Sequence, residues 1–332
     1  MRARTAAAFT AALIALSAGC AAPPQSGAVE GDLTPVTVVL DWTPNTNHLG
    51  LYVAQDRGYF AEAGLDVTIV EPGEASGLSL VAAGQADVAY SVAEALVPAR
   101  AKGADVVSVA AVLRRNTSSL IGLSSAGIGR PRDLAGRTYG SYGSALEEAL
   151  VRRLVACDGG DPDAVELAPL VSDDFRVGLT QGQFDVAWVF EGWDTIRLRD
   201  VDGLDVASIP FADHTDCIPD WYTPLLATSE TVLAERPGVV EKLVAAVGRG
   251  YEDAVADPQA AADTLLEAVP ELDRELVSLS AAYLAAEITA PGKPWGWQDP
   301  EVWREFLAFL EEEGLVEPGL TAEELWTDDL LG

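Results

Sequence analysis

VTVVLDWTPNTNHLGLYVAQDRGYFAEAGLDVTIVE, residues Val36–Glu71, decides the fold. Val36–Leu40 is an apolar, β-branched run of strand length, and His48–Ala63 spaces its apolar residues as a helix does. Gly64 stops that helix, and Leu65–Glu71 is β-branched again. Strand, helix and strand in this order form a βαβ unit, whose strands run parallel because a helix carries the chain back between them. Toward the C-terminus the pattern continues with helix Leu78–Ala83, stopped by Gly84, and strand Asp87–Ser91. Helix Ala93–Ala101, ended by Gly103, and a strand near Val106–Leu113 complete the set. A second set follows: strand Arg137–Gly140, helix Ser144–Ala156, strand Val165–Leu170, helix Asp173–Gln181 and strand Asp185–Phe190. The chain is therefore α/β and builds its unit twice, each time as a mostly parallel sheet flanked by helices.

Pro224–Thr228 then reads as a strand returning to the first lobe, followed by helices over Val239–Val255, Pro258–Glu267, Asp273–Leu284 and Pro300–Glu313. Crossings between lobes are expected near Ser119–Ser124 and Thr223–Ala227. Residues 36–120 with 225–332 then form lobe 1, and residues 121–224 form lobe 2. A ligand would lie between the lobes, where the carboxyl ends of parallel strands meet helix N-termini.

Toward the N-terminus, Arg2 and Arg4 precede an apolar run, Ala6–Leu16, and then Ser17-Ala18-Gly19-Cys20, with no acidic residue among the first nineteen. That is the pattern of a signal peptide over residues 1–19, with Cys20 diacylated as the mature N-terminus. One departure is that Ser17, rather than leucine, stands three residues before the cysteine, so ordinary secretory cleavage nearby is the alternative. Residues 20–35 are rich in Ala, Pro, Gly and Ser and read as a lipid-anchored tether. No other segment is apolar and long enough to cross a membrane.

The chain has 21 basic and 52 acidic residues, a formal charge of −31, which becomes −33 once Arg2 and Arg4 leave with the leader. Such a surface repels phosphate backbones and excludes nucleic acid as a partner. Cys157 and Cys217 remain for an oxidising compartment, where they could pair; spacing does not decide it. Two histidines, with no CxxC and no HExxH, leave a metal site almost without ligands, and no cofactor is expected. No GxSxG elbow or readable Ser–His or Cys–His pairing appears, so binding is the simpler reading than catalysis.

The strand-exit loops carry the candidate site. In Leu40-Asp-Trp-Thr-Pro-Asn-Thr-Asn-His48, Trp42 offers a flat apolar face, while Asn45, Asn47 and His48 offer donors and acceptors suited to a planar heterocycle. The competing reading is a helix start, with one Asn capping and Trp42 in the core. Glu94, after Tyr90-Ser-Val-Ala93, can accept from a ligand amine or simply favour a helix N-terminus. Gly140-Ser-Tyr-Gly-Ser144 supplies Tyr142 and could hold an anion by backbone N–H groups, although Glu147 also fits a capping box with Ser144. Trp188, Phe190, Glu191 and Trp193 close the last strand of the second set, and Tyr222 precedes the return crossing. Arg114 and Arg115 are the nearest cations in sequence, so these loops favour a neutral or amine-bearing ligand over an anion.

The Trp42-Thr-Pro-Asn-Thr-Asn-His48 string, with Gly50-Leu-Tyr-Val-Ala54, Gly58-Tyr-Phe60, Gly64-Leu-Asp-Val67, Ala83-Gly-Gln-Ala-Asp-Val88, Phe184-Asp-Val-Ala-Trp188, Glu191-Gly-Trp193 and Tyr222-Thr-Pro224, resembles ABC-importer binding proteins for thiamine pyrimidine precursors. Fungal thiamine-pyrimidine synthases belong to the same superfamily, as do nitrate, sulfonate and taurine binders more distantly. The resemblance implies a two-lobe type II periplasmic-binding-protein fold and a ligand such as a formylated aminomethylpyrimidine, delivered by a monomer to an ABC permease. It would set Trp42 and Tyr90 against the ring, Asn45 and His48 at its polar edge and Glu94 at the exocyclic amine. Trp188, Glu191 and Tyr222 would close from the other side. A riboflavin-like ring, or an anion in the same fold, is the alternative. The synthase relatives use iron, a histidine and a lysine-bound pyridoxal phosphate; this chain keeps His48 but has no lysine between Asp41 and Lys102.

Overall fold

The computed structural model describes residues 33–172 and 174–331. The leader, Cys20 and most of the expected tether lie outside the described residues. Among the described residues the ten strands are β1 (Thr34–Val39), β2 (Leu65–Val70), β3 (Val88–Ser91), β4 (Val107–Ala111), β5 (Ser118–Leu123), β6 (Thr138–Ser141), β7 (Glu166–Pro169), β8 (Val186–Phe190), β9 (Val206–Pro210) and β10 (Leu225–Thr228). They form two five-stranded sheets, β2-β1-β3-β10-β4 and β7-β6-β8-β5-β9. In the first, β1 runs parallel to β2 and β3, and β10 runs antiparallel to β3 and β4. The second repeats this plan: β6 is parallel to β7 and β8, and β5 is antiparallel to β8 and β9. Each sheet centres one lobe.

The helices are α1 (Leu49–Asp56), α2 (Tyr59–Glu62), α3 (Gly77–Ala82), α4 (Ala93–Ala101), α5 (Ala145–Cys157) and α6 (Phe175–Thr180), then α7 (Glu230–Glu235), α8 (Pro237–Ala256), α9 (Pro258–Ala268), α10 (Arg274–Leu284) and α11 (Pro300–Glu312). The expected helix His48–Ala63 is divided. A 3-10 turn over Thr46–His48 precedes α1, and Gly58, at φ +74°, separates α1 from α2. A left-handed residue cannot continue a right-handed helix. Buried Val36, Val38, Leu40, Val88 and Tyr90 pack on Leu51 of α1 and on Leu243, Val247 and Tyr251 of α8, which fills one face of the first sheet. Ile121, Ala187 and Val189 meet Phe175 and Leu179 of α6 on the second sheet. Strand β4 is an edge, and the C-terminal region covers it: the Ser108 N–H donates to Leu325 O and the Ala111 N–H to Gly296 O. Covering removes an open row of donors and acceptors.

Because β5 already belongs to the second sheet, the first crossing lies before Ser118 rather than over Ser119–Ser124. The second crossing precedes β10. The two are tied together where Asp220 Oδ1 accepts the N–H groups of Asn116 and Trp221, both at 2.9 Å. Beside them the buried Glu287 takes Arg114 at 2.9 Å and Arg115 at 2.8 Å. Helix α11 braces the junction: Phe306 stacks on Trp221 at 5.2 Å between ring centroids, and Arg153 of α5 pairs with Glu312 and Glu313. Cys157, at the end of α5, is disulfide-bonded to Cys217 in the second crossing, with Cα atoms 5.8 Å apart. The pairing that the sequence left open is therefore made.

Candidate functional site

The turn Asp41–His48 after β1 is organised from within. The Asn45 N–H donates to His48 Nδ1 at 3.1 Å, so the ring proton sits on Nε2, which donates to Asp41 Oδ1 at 2.8 Å. Asn45 Oδ1 accepts the Asn47 N–H at 2.8 Å, and its amide donates to Thr43 O at 3.0 Å. His48 is fully buried and edge-on to Tyr90 at 4.8 Å. His48 does not line the central cavity; it holds Asp41, which does. Tyr90 is spent in the same way: Tyr251 Oη donates to Asn47 O, so its lone pairs accept the Tyr90 hydroxyl at 3.0 Å. Burial pushes both phenols above their usual range, and what Tyr90 presents to the cavity is ring surface.

A central cavity of about 310 Å³ opens between the lobes. Lobe 1 lines it with Asp41, Trp42, Asn45, Asn47 and Tyr90, and the second lobe contributes Phe190, Trp193 and Asp194. Trp42 is 45% exposed, which rules out the core reading for it. After β8 the chain widens into a π-helical turn, Glu191–Thr195, where Asp194 Oδ2 accepts the Phe190 N–H at 3.0 Å. Two further cavities adjoin. One, of about 300 Å³, is lined by Glu94, Tyr142, Ser144, Trp188 and Phe190; the other, of about 220 Å³, by Trp42, Trp193, Arg176 and Arg197. Asp194 lines all three, so they form one branched cleft.

Glu94 lines the cavity shared with Tyr142 and Trp188, its Oε2 accepting the Trp221 indole N–H at 3.0 Å. Desolvation pushes its carboxyl up to about 7, against the lowering effect of its hydrogen bonds, and the nearby Asp41 charge pushes the same way. Of the residues singled out from sequence, Trp42, Asn45 and Tyr90 meet in the central cavity, and Glu94, Tyr142 and Trp188 in its neighbour.

Four others have different places. His48 acts through Asp41. Glu147 is buried and holds the 140–144 loop, accepting the Tyr139 hydroxyl at 2.6 Å, the Ser141 hydroxyl at 2.9 Å and the Tyr142 N–H at 3.2 Å. Tyr222 lies in the core against Trp303, its hydroxyl accepting the Asp299 N–H at 2.6 Å. Glu191 accepts the Thr195 hydroxyl at 3.4 Å and lines none of the three cavities.

Sequence reasoning passed over Asp41 and Asp194 as binding groups. Their one available signal was position, two and four residues past the carboxyl ends of β1 and β8.

The described part of the chain matches the model of the family described as NMT1/THI5 like over residues 45–261. A formylaminopyrimidine-binding protein of Halalkalibacterium halodurans is 32% identical over 301 residues, covering 89% of this chain and 90% of that one. The riboflavin-binding protein RibY of Chloroflexus aurantiacus is 25% identical over 311 residues, covering 90% and 86%. Among solved structures, the periplasmic aliphatic sulphonate binding protein SsuA from Escherichia coli superposes with a TM-score of 0.69 at 15% identity, over 88% of this chain and 92% of that one. At that identity the likeness speaks for the two-lobe fold alone. With a family match over more than half its length and a 32%-identical relative spanning nearly all of it, the chain belongs to the NMT1/THI5-like family.

Proposed function

We propose that this protein is the substrate-binding component of an ABC importer, held outside the cytoplasm by a lipid on Cys20. Its ligand is a thiamine pyrimidine precursor, formylaminopyrimidine or a hydroxymethylpyrimidine-like ring, handed as a closed monomeric complex to the permease. The observation that carries this reading is the lining of the central cavity. Trp42, Tyr90 and Trp193 offer aromatic surface, Asp41 and Asp194 offer acceptors, and neither Lys nor Arg lines it. Aromatic surface suits a flat ring, and carboxylates suit its amines. A sulfonate or nitrate entering the same cavity would lose its hydration with no cation on that cavity's wall to replace it, since Arg176 and Arg197 line the adjoining arm instead. The formylaminopyrimidine-binding relative supports the same ligand class.

The riboflavin-binding relative keeps a second ligand in view, because the neighbouring cavity beside Tyr142 and Trp188 gives room for a larger ring system. Catalysis fits the site less well. Both His48 nitrogens are engaged inside the turn, so ligating a metal or taking a proton there would dismantle Asp41's support.

A thermal-shift series with formylaminopyrimidine, hydroxymethylpyrimidine, thiamine, riboflavin, taurine and nitrate tests the proposal, since a ligand raises the midpoint only by binding the native state. A rise with a pyrimidine is expected. No rise with any pyrimidine, alongside a rise with taurine or nitrate, would overturn it.

A further inference from the structure

The segment carrying Trp193 and Asp194 packs on a lobe 1 helix, α10, and is hydrogen-bonded to it through one hydroxyl. Ser280, on α10, is fully buried and donates to the carbonyl of Gly192, which can only accept. With its proton committed there, Ser280 Oγ must be the acceptor in its 2.5 Å contact with Thr46 Oγ1, so the direction is fixed as Thr46 O–H to Ser280 O–H to Gly192 C=O. Thr46 is 2% exposed, so water does not stand in for either partner. Gly192 lies flush on the helix: a Cβ there would come within 2.9 Å of Leu284 Cδ2 and 3.1 Å of Tyr283 Cδ1. Both ends of this relay adjoin the cleft. Thr46 stands between Asn45 and Asn47, which line the central cavity from lobe 1, and Gly192 precedes Trp193 and Asp194, which line it from the other sheet's side.

We infer that Ser280 is a positioning residue, which couples the ligand-facing turn of lobe 1 to the ligand-facing segment after β8 without itself touching ligand. A change in either wall is transmitted to the other because the relay is buried, directional and one hydroxyl wide at its centre. The inference rests on the proposed binding cleft for its purpose but not for its test, which needs no ligand.

Hydrogen exchange on the full chain without ligand measures the coupling directly. Thr46→Val removes the first donor and keeps the shape, whereas Thr46→Ser keeps the donor. Thr46 makes no hydrogen bond to the 191–196 segment itself, so faster exchange there in Thr46→Val, by about tenfold for the loss of a buried hydrogen bond, is the expected result, with Thr46→Ser close to wild type. Exchange that quickens only around residues 43–48 would overturn the inference. If Thr46→Val does not fold, Ser280→Ala replaces it: faster exchange at both 43–48 and 191–196 supports the coupling, and a change confined to one of them overturns it. Failure of every pyrimidine to bind would leave this result standing and would count against the ligand assignment alone.

Discussion

At Glu94 the cleft has a group whose charge changes near neutral pH, and the sign of its effect on stability follows from its surroundings. Its ordinary carboxyl value is 4.5, and desolvation in the folded protein raises it to about 7. The native state therefore holds the proton more tightly than the unfolded chain. This contribution is fully present below about pH 4.5 and is lost as pH rises through 7. Glu94→Gln removes it. The urea midpoint of the variant, relative to wild type, is expected to be higher at pH 8 than at pH 5; an unchanged difference between the two pH values would count against the desolvated carboxylate. Residues of this kind are only half legible in sequence. Trp42 and Glu94 announced themselves by standing at strand exits, whereas the work of His48 depends on which ring nitrogen the Asn45 N–H occupies, a matter of three-dimensional geometry. A tyrosine beside a crossing looks alike in sequence whether it faces a cleft or, as Tyr222 does, accepts the Asp299 N–H with its hydroxyl inside the core.

Among the elements, the disulfide ties the end of α5 to the second crossing across a sequence separation of 60 residues. Closing a loop of that length restricts the unfolded chain by about 4 kcal/mol in the entropic model, and strain or residual structure lowers the realised value. Replacing Cys157 and Cys217 together by serine is expected to lower unfolding free energy by about 2–4 kcal/mol in denaturant titration, while a loss below about 0.5 kcal/mol would show the crossing to be held by its other contacts. The parallel strands were legible because β1, β2 and β3 are apolar or β-branched runs separated from one another by helices. Strands β5 and β9 were not. The first opens on Ser118 and Ser119, which read as a polar crossing, and the second, Val206–Pro210, is a sheet edge that mixes Ser208 and Pro210 with apolar residues. Both are antiparallel additions to a βαβ core, so no crossover helix flags them.

Across the whole molecule, two sheets, two tied crossings and a cleft with walls from both sides describe a body that can close on a small ligand. The 52 acidic residues set its surface charge, but the acids that line the cleft and are proposed for binding are few and specifically held: Asp41 by His48, Asp194 by the Phe190 N–H, and Glu94 by the Trp221 indole. The repeated α/β plan could be read from hydrophobic runs and glycine stops alone, because helix and strand periods are local. The meeting of the turn after β1 with the turn after β8 could not, since it joins residues about 150 positions apart through Ser280.

The acidic, aromatic cleft is proposed to take a flat, amine-bearing ring. Isothermal titration of formylaminopyrimidine and of taurine into the wild-type protein and its Trp42→Ala variant tests it most directly. One-to-one binding of the pyrimidine by the wild type, at least about tenfold weaker binding by Trp42→Ala from the lost aromatic contact, and no measurable binding of taurine are expected. Equal pyrimidine affinity in the two proteins, or tighter binding of taurine than of the pyrimidine, would contradict it.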